Sequence, residues 1–446
     1  MYQFDKNSVQ YDYQKITDKA EIVIVINSRD ISSNKVRNDI GITYQAEVER
    51  LISAYASLNL LIKNVVFSFY EATPLVLEFE KKLNKRGITV FKHYRIAGYP
   101  QDVKTILSDD GLGKNEYIPT TRPLVIVTAP GPGSGKLATC LSQLYHDNKL
   151  GLRSGYAKYE TFPIWNIPLK HPVNLAYEAA TVDLKDVNMI DPYHLDKYGK
   201  ITVNYNRDID AFPLLRDILT GIYGETPYFS PTDMGVNMAG YAIINDEAAI
   251  KASKNEIIRR YYQALKCNFL GRFDDEAVEK AELLMKHVEV SPADRKVVAA
   301  SLKKYETSGG EESIAIQLPN GKIVTGRRSE TFGAPAAVIL NALKTLDDSI
   351  PLISPNVLDP IKRLKVEDLK NHNPRIHAEE ALIALAIQAH TNPLAEIAIK
   401  QLPKLRGCEA HSSSILQEVE QGTLRKLGLN LTEEPRLYVK KYVKKA

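Results

Sequence analysis

The residues best suited to chemistry lie in "LVIVTAPGPGSGKLAT", positions 124–139, where an apolar run leads into three glycines, a lysine and a helical pattern. Backbone N–H groups converging on an anion, the positive end of a helix dipole and a lysine charge together make a phosphate cradle. Gly131, Gly133, Gly135 and Lys136 suit that geometry, and Ser134 and Thr139 are the nearest hydroxyls. The order strand, glycine turn, helix is the context the motif requires. A tight strand-to-helix turn with a solvated lysine is the plainer reading of the same residues.

The stretch is P-loop-like with two departures from G-x-x-x-x-G-K-[ST]. Pro130 stands at the first glycine, and Leu137 stands where a magnesium-binding hydroxyl is expected. ATP with Mg²⁺ is the cofactor pair such a loop would take, but here the metal must be held differently. A helix terminus contributes about 0.3–1 kcal/mol to a bound anion and a charge-assisted hydrogen bond about 1.5–3 kcal/mol. Together these barely reach the roughly 4 kcal/mol of millimolar binding, so other residues must help.

Five further places offer polar groups. "SPTDMGVNMAG" concentrates Ser230, Thr232, Asp233 and Asn237 around Gly235, as ligand contacts with Asp233 as base or metal ligand, or as a turn and helix cap. "NYNRDI" holds Arg207 and Asp208, a phosphate clamp with an orienting carboxylate, or a surface ion pair. "MIDPYH" holds Asp191 and His194, although Asp-Pro is first a turn signal. "RIHAEEA" and "GCEAHSSSIL" hold His377 with Glu379 and Cys408 with His411; no H-E-x-x-H or paired C-x-x-C accompanies them, so zinc chemistry is not expected.

The elements that must position these groups alternate. "AEIVIVIN", "NVVFSFY", "ITVFKHY" and "LVIVTAP" read as strands apolar on both faces, separated by helical patterns. That order implies a Rossmann-like α/β fold, a parallel sheet with helices on both faces and ligands beyond the carboxyl ends of the strands. From about 151 to 225 the periodicity is lost in a tract rich in Pro, Tyr and Asn. Helices return in "KNEIIRRYYQALKCNFL", "DDEAVEKAELLMKHV" and "PADRKVVAASLKKY". "SIAIQLPNGKIVTGRRS" then reads as a hairpin turning at Asn-Gly. The expected domains are a Rossmann-like domain over 1–225, a helical subdomain over 226–310 and a smaller α/β domain over 311–446.

Composition sets the class. The 446 residues are 44% hydrophobic and 25% charged with a net charge of +4, ordinary for a globular protein of two or three domains. Much of the positive excess sits in the tail "RLYVKKYVKKA", read as a solvated terminus, so neither nucleic acid nor a membrane is expected as partner. Three cysteines far apart do not form a disulfide scaffold. No apolar run approaches the roughly 20 residues that span a bilayer, and the reading is a cytoplasmic protein.

"VTAPGPGSGKLATCLSQLYHD", "SGYAKYETFPIWNIPLKHPVNLAYEAAT", "NMIDPYHLDKYGK", "VNYNRDI", "SPTDMGVNMAG" and "EIIRRYYQALKC" occur here in one order. Together they resemble the bacterial family known as domain of unknown function 1846, from about Ala20 nearly to the end. The resemblance implies a Rossmann-like amino-terminal region, a helical middle, a separate carboxyl-terminal domain and homo-oligomers. It also implies a phosphotransferase role, by analogy of the glycine-rich turn, whereas the older label of ATP-dependent peptidase finds no support in these residues. An upstream strand with a Gly-Gly-Lys turn belongs to the family pattern, and this sequence begins after that point.

The leading expectation is a phosphotransferase that binds a nucleotide or phosphorylated small molecule at residues 131–136. Lys136 would neutralise phosphate charge and Asp233 would act as base or metal ligand. A nucleotide- or dinucleotide-dependent enzyme of another class, such as one acting on a nucleotide sugar, is the weaker alternative, because the glycine of G-x-G-x-x-G is missing at position 136. A non-catalytic oligomeric ligand-binding protein is the third.

Overall fold

The structure is a computed structural model that describes residues 17–37, 42–159, 163–235, 237–346, 353–371 and 373–438. Lys440, Lys441, Lys444 and Lys445 of the basic tail lie outside the described residues. The chain is mixed α/β and forms two compact units. The first takes the described parts of Met1–Glu160, Asp191–Ile201 and Arg207–Val236, and the second those of Thr161–Ile190, Thr202–Asn206 and Asn237–Ala446.

In the first unit, β1 (Ala20–Asn27), β2 (Leu61–Ser68), β3 (Thr89–Lys92) and β4 (Leu124–Thr128) form a parallel sheet in the order β3-β2-β1-β4. Alternation along β1 explains why both faces are covered. Ile22, Ile24 and Ile26 pack with Val48, Ile52, Val76, Phe79 and Leu83 from the helices Tyr44–Ser57 and Pro74–Lys85. Val23 and Val25 face the other way, toward Val66 and Ile118. The chain builds outward from β1 to β3, then crosses to β4 on the opposite side of β1. The β1/β4 boundary is therefore the topological switch point, where open α/β sheets bind ligands beyond the strand ends.

The tract from 151 to 225, which showed no periodicity, is built of short elements followed by one long helix, Asn206–Tyr223, with Pro213 inside it. Its helices Pro172–Ala180 and Pro192–Tyr198 each begin with proline after a capping side chain, His171 and Asp191. Asp191-Pro192 thus starts a helix rather than a turn. The strands β5 (Asn188–Ile190) and β6 (Val203–Tyr205) pair antiparallel over three residues, too few to display a period.

In the second unit Lys296–Thr307 lies against the strands of the same unit, while the helices Asp246–Phe269 and Asp275–His287 pack with Pro172–Ala180. Leu175, Ile257, Ile258, Ala281, Leu284 and Met285 make their core. The same unit holds a sheet in the order β10-β9-β7-β8, from β7 (Ser313–Gln317), β8 (Ile323–Arg327), β9 (Glu409–Ser412) and β10 (Asn430–Glu433). The expected hairpin is β7 with β8, antiparallel, with Gly321 at φ +82° in its turn. Arg295, almost fully buried, reaches the carbonyls of Ala410 at 2.8 Å and Asn430 at 2.6 Å, and pairs with Glu409. Among the described residues no helix is long and apolar enough to cross a membrane.

Candidate functional site

The glycine-rich turn follows β4 and ends where the helix Lys136–Lys149 begins. Its three glycines answer to different constraints. Gly133 and Gly135 stand at φ +71° and +91°, the left-handed region that side chains with a Cβ avoid. A Cβ on Gly131 would lie 2.4 Å from the Tyr44 hydroxyl oxygen. Ser134 is fully buried; its Oγ donates to the Gly131 carbonyl at 2.8 Å, while its own carbonyl accepts from Ser68 Oγ at 2.7 Å.

Ser68 is the last residue of β2, so the turn is bound to the carboxyl edge of the sheet beside the switch point. The amides of Gly131, Gly133, Ser134 and Gly135 meet no hydrogen-bond acceptor among the described residues. Tyr44 underlies Gly131, and Lys35 Nζ sits 4.9 Å from the Tyr44 ring centroid. Ser68, Tyr44 and Lys35 are supports that sequence reasoning missed. A serine at a strand end and a tyrosine at a helix start carry no local signal of contact with a distant turn.

Lys136 is the first residue of its helix and is exposed. Thr139 points inward and is buried, its Oγ1 donating to His93 Nδ1 at 3.4 Å. That assignment follows from the other ring nitrogen: His93 Nε2–H donates to the Glu116 carbonyl at 3.0 Å, which leaves Nδ1 as acceptor. Burial pushes the His93 pKa down to about 4, and the nearby His146 charge adds to this. Burial likewise pushes the Cys140 thiol up to about 12, against the opposing charge of Lys136. Because Ser134 and Thr139 both use their hydroxyls within the fold and Leu137 has none, the turn does not fit Mg²⁺ as a P-loop would. Among the described residues no group of three or more His, Cys, Asp and Glu side chains is arranged to hold a metal ion.

Asp233, Thr232, Asp191, Asp208 and Arg207 also belong to the first unit. Asp233 completes a capping box: its Oδ2 accepts from the amides of Phe229 at 2.8 Å and Ser230 at 3.1 Å, and from the Tyr198 hydroxyl at 3.1 Å. Thr232 donates through its amide and hydroxyl to Asp191 Oδ2, at 3.0 and 2.6 Å, while Asp191 Oδ1 caps the helix of His194. His194 Nδ1 lies 2.9 Å from Ser230 Oγ and 3.6 Å from Asp233 Oδ1. Serine and carboxylate thus meet the same ring nitrogen, whereas a catalytic triad needs them on opposite nitrogens. Asp208 forms an ion pair with Lys158, whose amide donates to the Met234 carbonyl at 2.7 Å. Arg207 lies in the first turn of the helix Asn206–Tyr223. Asn237 belongs to the second unit, where its amide group donates to the Pro163 carbonyl at 3.2 Å.

In the second unit, His377 caps the helix Ala378–Ala389 and places Nδ1 2.8 Å from Glu420 Oε1. His411 is fully buried, with Nδ1 2.8 Å from Thr432 Oγ1 and Nε2 3.1 Å from Glu434 Oε1. Cys408 Sγ donates to the Lys404 carbonyl at 3.4 Å.

The sequence matches two family models, domain of unknown function DUF1846, N-terminal, over residues 2–289, and domain of unknown function DUF1846, C-terminal, over residues 293–442. A UPF0371 protein of Streptococcus thermophilus (strain CNRZ 1066) is 54% identical over 425 residues, which cover 95% of this chain and 86% of that protein. A UPF0371 protein of Streptococcus pyogenes serotype M5 (strain Manfredo) shows the same identity and coverage.

Proposed function

We propose that this chain, which belongs to the family of domain of unknown function DUF1846, binds a nucleotide or phosphorylated small molecule at residues 131–136 and transfers its phosphoryl group. The observation that carries the reading is the turn itself. It lies beside the switch point of a parallel sheet, with four amides that meet no described acceptor and a helix amino terminus behind them. Lys136 neutralises phosphate charge from the first position of that helix. Asp233 Oδ1, which faces His194 Nδ1 at 3.6 Å, would take the acid/base role, but the capping bonds of Oδ2 mean that loss of Asp233 would be felt first as instability, so the test rests on Lys136.

The same reading makes the protein a cytoplasmic homo-oligomer acting on a small molecule, with neither nucleic acid nor membrane as partner. A non-catalytic ligand-binding protein is the second reading, favoured by the inward commitment of the Ser134 and Thr139 hydroxyls.

The test compares the thermal unfolding midpoints of wild type and Lys136→Ala with ATP, ADP, NAD, phosphate and a set of sugar phosphates, each with and without Mg²⁺. A ligand held only by the folded state at a hundred times its Kd stabilises by about 2.7 kcal/mol. We expect one phosphate compound to raise the midpoint of wild type and not of Lys136→Ala. Equal shifts in both proteins, or none in wild type, would overturn the proposal. Turnover of the ligand that shifts the midpoint separates transfer from binding alone.

A further inference from the structure

A second concentration of charge lies in the other unit and is independent of the glycine-rich turn. Because β7 runs antiparallel to both β8 and β9 while β9 and β10 run parallel, the ends of β8, β9 and β10 and the start of β7 meet at one edge of the sheet. Arg328 follows β8, Glu312 precedes β7, Ser414 follows β9, and Arg436 and Tyr438 follow β10. Arg375 arrives from the loop ahead of the helix Ala378–Ala389, its Nε donating to the Ser329 carbonyl at 2.6 Å.

None of the three arginines has a carboxylate within ion-pair distance among the described residues. Arg328 places its guanidinium carbon 4.6 Å from the Tyr438 ring centroid, and its side chain donates to no described acceptor. Among the described residues its buried Nε has no partner, nor has Nη2 of Arg436, whose Nε donates to the Ser413 carbonyl at 2.5 Å. Buried guanidinium N–H groups are ordinarily satisfied, so two that meet no described acceptor at the same end of the sheet leave donors for an anion.

The Tyr438 hydroxyl donates to Glu311 Oε2 at 2.8 Å, and the carbonyl that holds Arg375 belongs to Ser329, the residue after Arg328, so both guanidinium groups are anchored at the same strand end. Glu312, a half-buried carboxyl nearby, accepts from Ser414 Oγ at 2.9 Å, and desolvation pushes its pKa up. A guanidinium offers two parallel N–H groups to adjacent oxygens of a carboxylate or phosphate.

We propose that this edge of the second sheet binds a small-molecule oxyanion, phosphate or carboxylate, in the forks of Arg328 and Arg375, with Arg436 beside them. The strand polarity agrees, since β8, β9 and β10 all present their carboxyl ends there. The site goes beyond the phosphate turn and stands or falls without it.

The test uses the full chain carrying Lys136→Ala, so that the fate of the turn does not enter, and titrates it calorimetrically with inorganic phosphate and, separately, citrate. One of the two probes should bind, and its affinity should fall at least tenfold on adding Arg328→Gln or Arg375→Gln. Which probe binds decides between phosphate and carboxylate. Binding by neither, or binding unchanged by both arginine substitutions, overturns the proposal. Should the variants not fold, phenylglyoxal modification of the wild type read by mass spectrometry takes their place. Peptides holding Arg328 and Arg375 should be protected by the bound probe while exposed Arg153 is modified as before, and equal modification throughout overturns it.

Discussion

Ser68 Oγ donates to the carbonyl of Ser134 at 2.7 Å, joining the last residue of β2 to a turn 66 residues later. Both residues are buried, so the bond has no water to replace it when it is lost. Ser68→Ala should lower stability by about 1–3 kcal/mol, the cost of an unsatisfied buried carbonyl. It should also weaken any ligand of the turn, because Ser68 holds the turn's position. Urea denaturation reads the first effect and the ligand-induced midpoint shift the second. A variant as stable as wild type would mean that the contact adds nothing to the turn.

His93 makes stability depend on pH in a definite direction. Its folded pKa of about 4 lies below the unfolded value near 6.5, so between these pH values the unfolded chain binds a proton that the folded chain refuses. Its effect is nil above about pH 7 and grows as pH falls, reaching roughly 3 kcal/mol of lost stability near pH 4. Denaturant midpoints measured from pH 4 to 8 should therefore fall more steeply in wild type than in His93→Gln. Parallel curves would show that the ring takes up a proton as readily in the fold as in the open chain.

Gly326 and Gly321 sit five residues apart in one hairpin and should respond differently to alanine. A Cβ at Gly326 would lie 2.3 Å from the Val338 amide nitrogen, so the helix Ala334–Leu346 would have to lift off β8. That is overpacking against backbone, and it should cost at least about 1–3 kcal/mol. At Gly321 nothing lies within 4 Å, and only the φ of +82° resists, for about 1–2 kcal/mol. Chemical denaturation of the two single variants ranks them, with Gly326→Ala expected to be the less stable.

What could be read before folding was what neighbouring residues encode. Valine and isoleucine runs with helical spacing between them specify parallel strands and helices, since burial of both strand faces needs only a local pattern. Gly133, Gly135 and the Asn-Gly hairpin turn declare themselves because a left-handed φ is a property of one residue. Most of the tract from 151 to 225 stayed illegible because three-residue strands and short proline-started helices are too brief to show a period, while Pro213 inside the helix Asn206–Tyr223 masked that one as a loop signal.

The sequence by itself thus determined the strand, glycine turn and helix around Lys136, together with the parallel sheet that carries them. Only the tertiary structure decided how the polar residues are used. Asp233 and Asp191 serve as caps, Thr139 turns to His93, and Ser68 holds the turn. Arg328 and Arg436 come to one end of the second sheet through the directions of its strands, and Arg375 joins them from a loop held at the Ser329 carbonyl. The physical reason is range: backbone preference and amphipathic period act over a few residues, whereas the partner of a polar side chain depends on which distant segments the sheet places side by side.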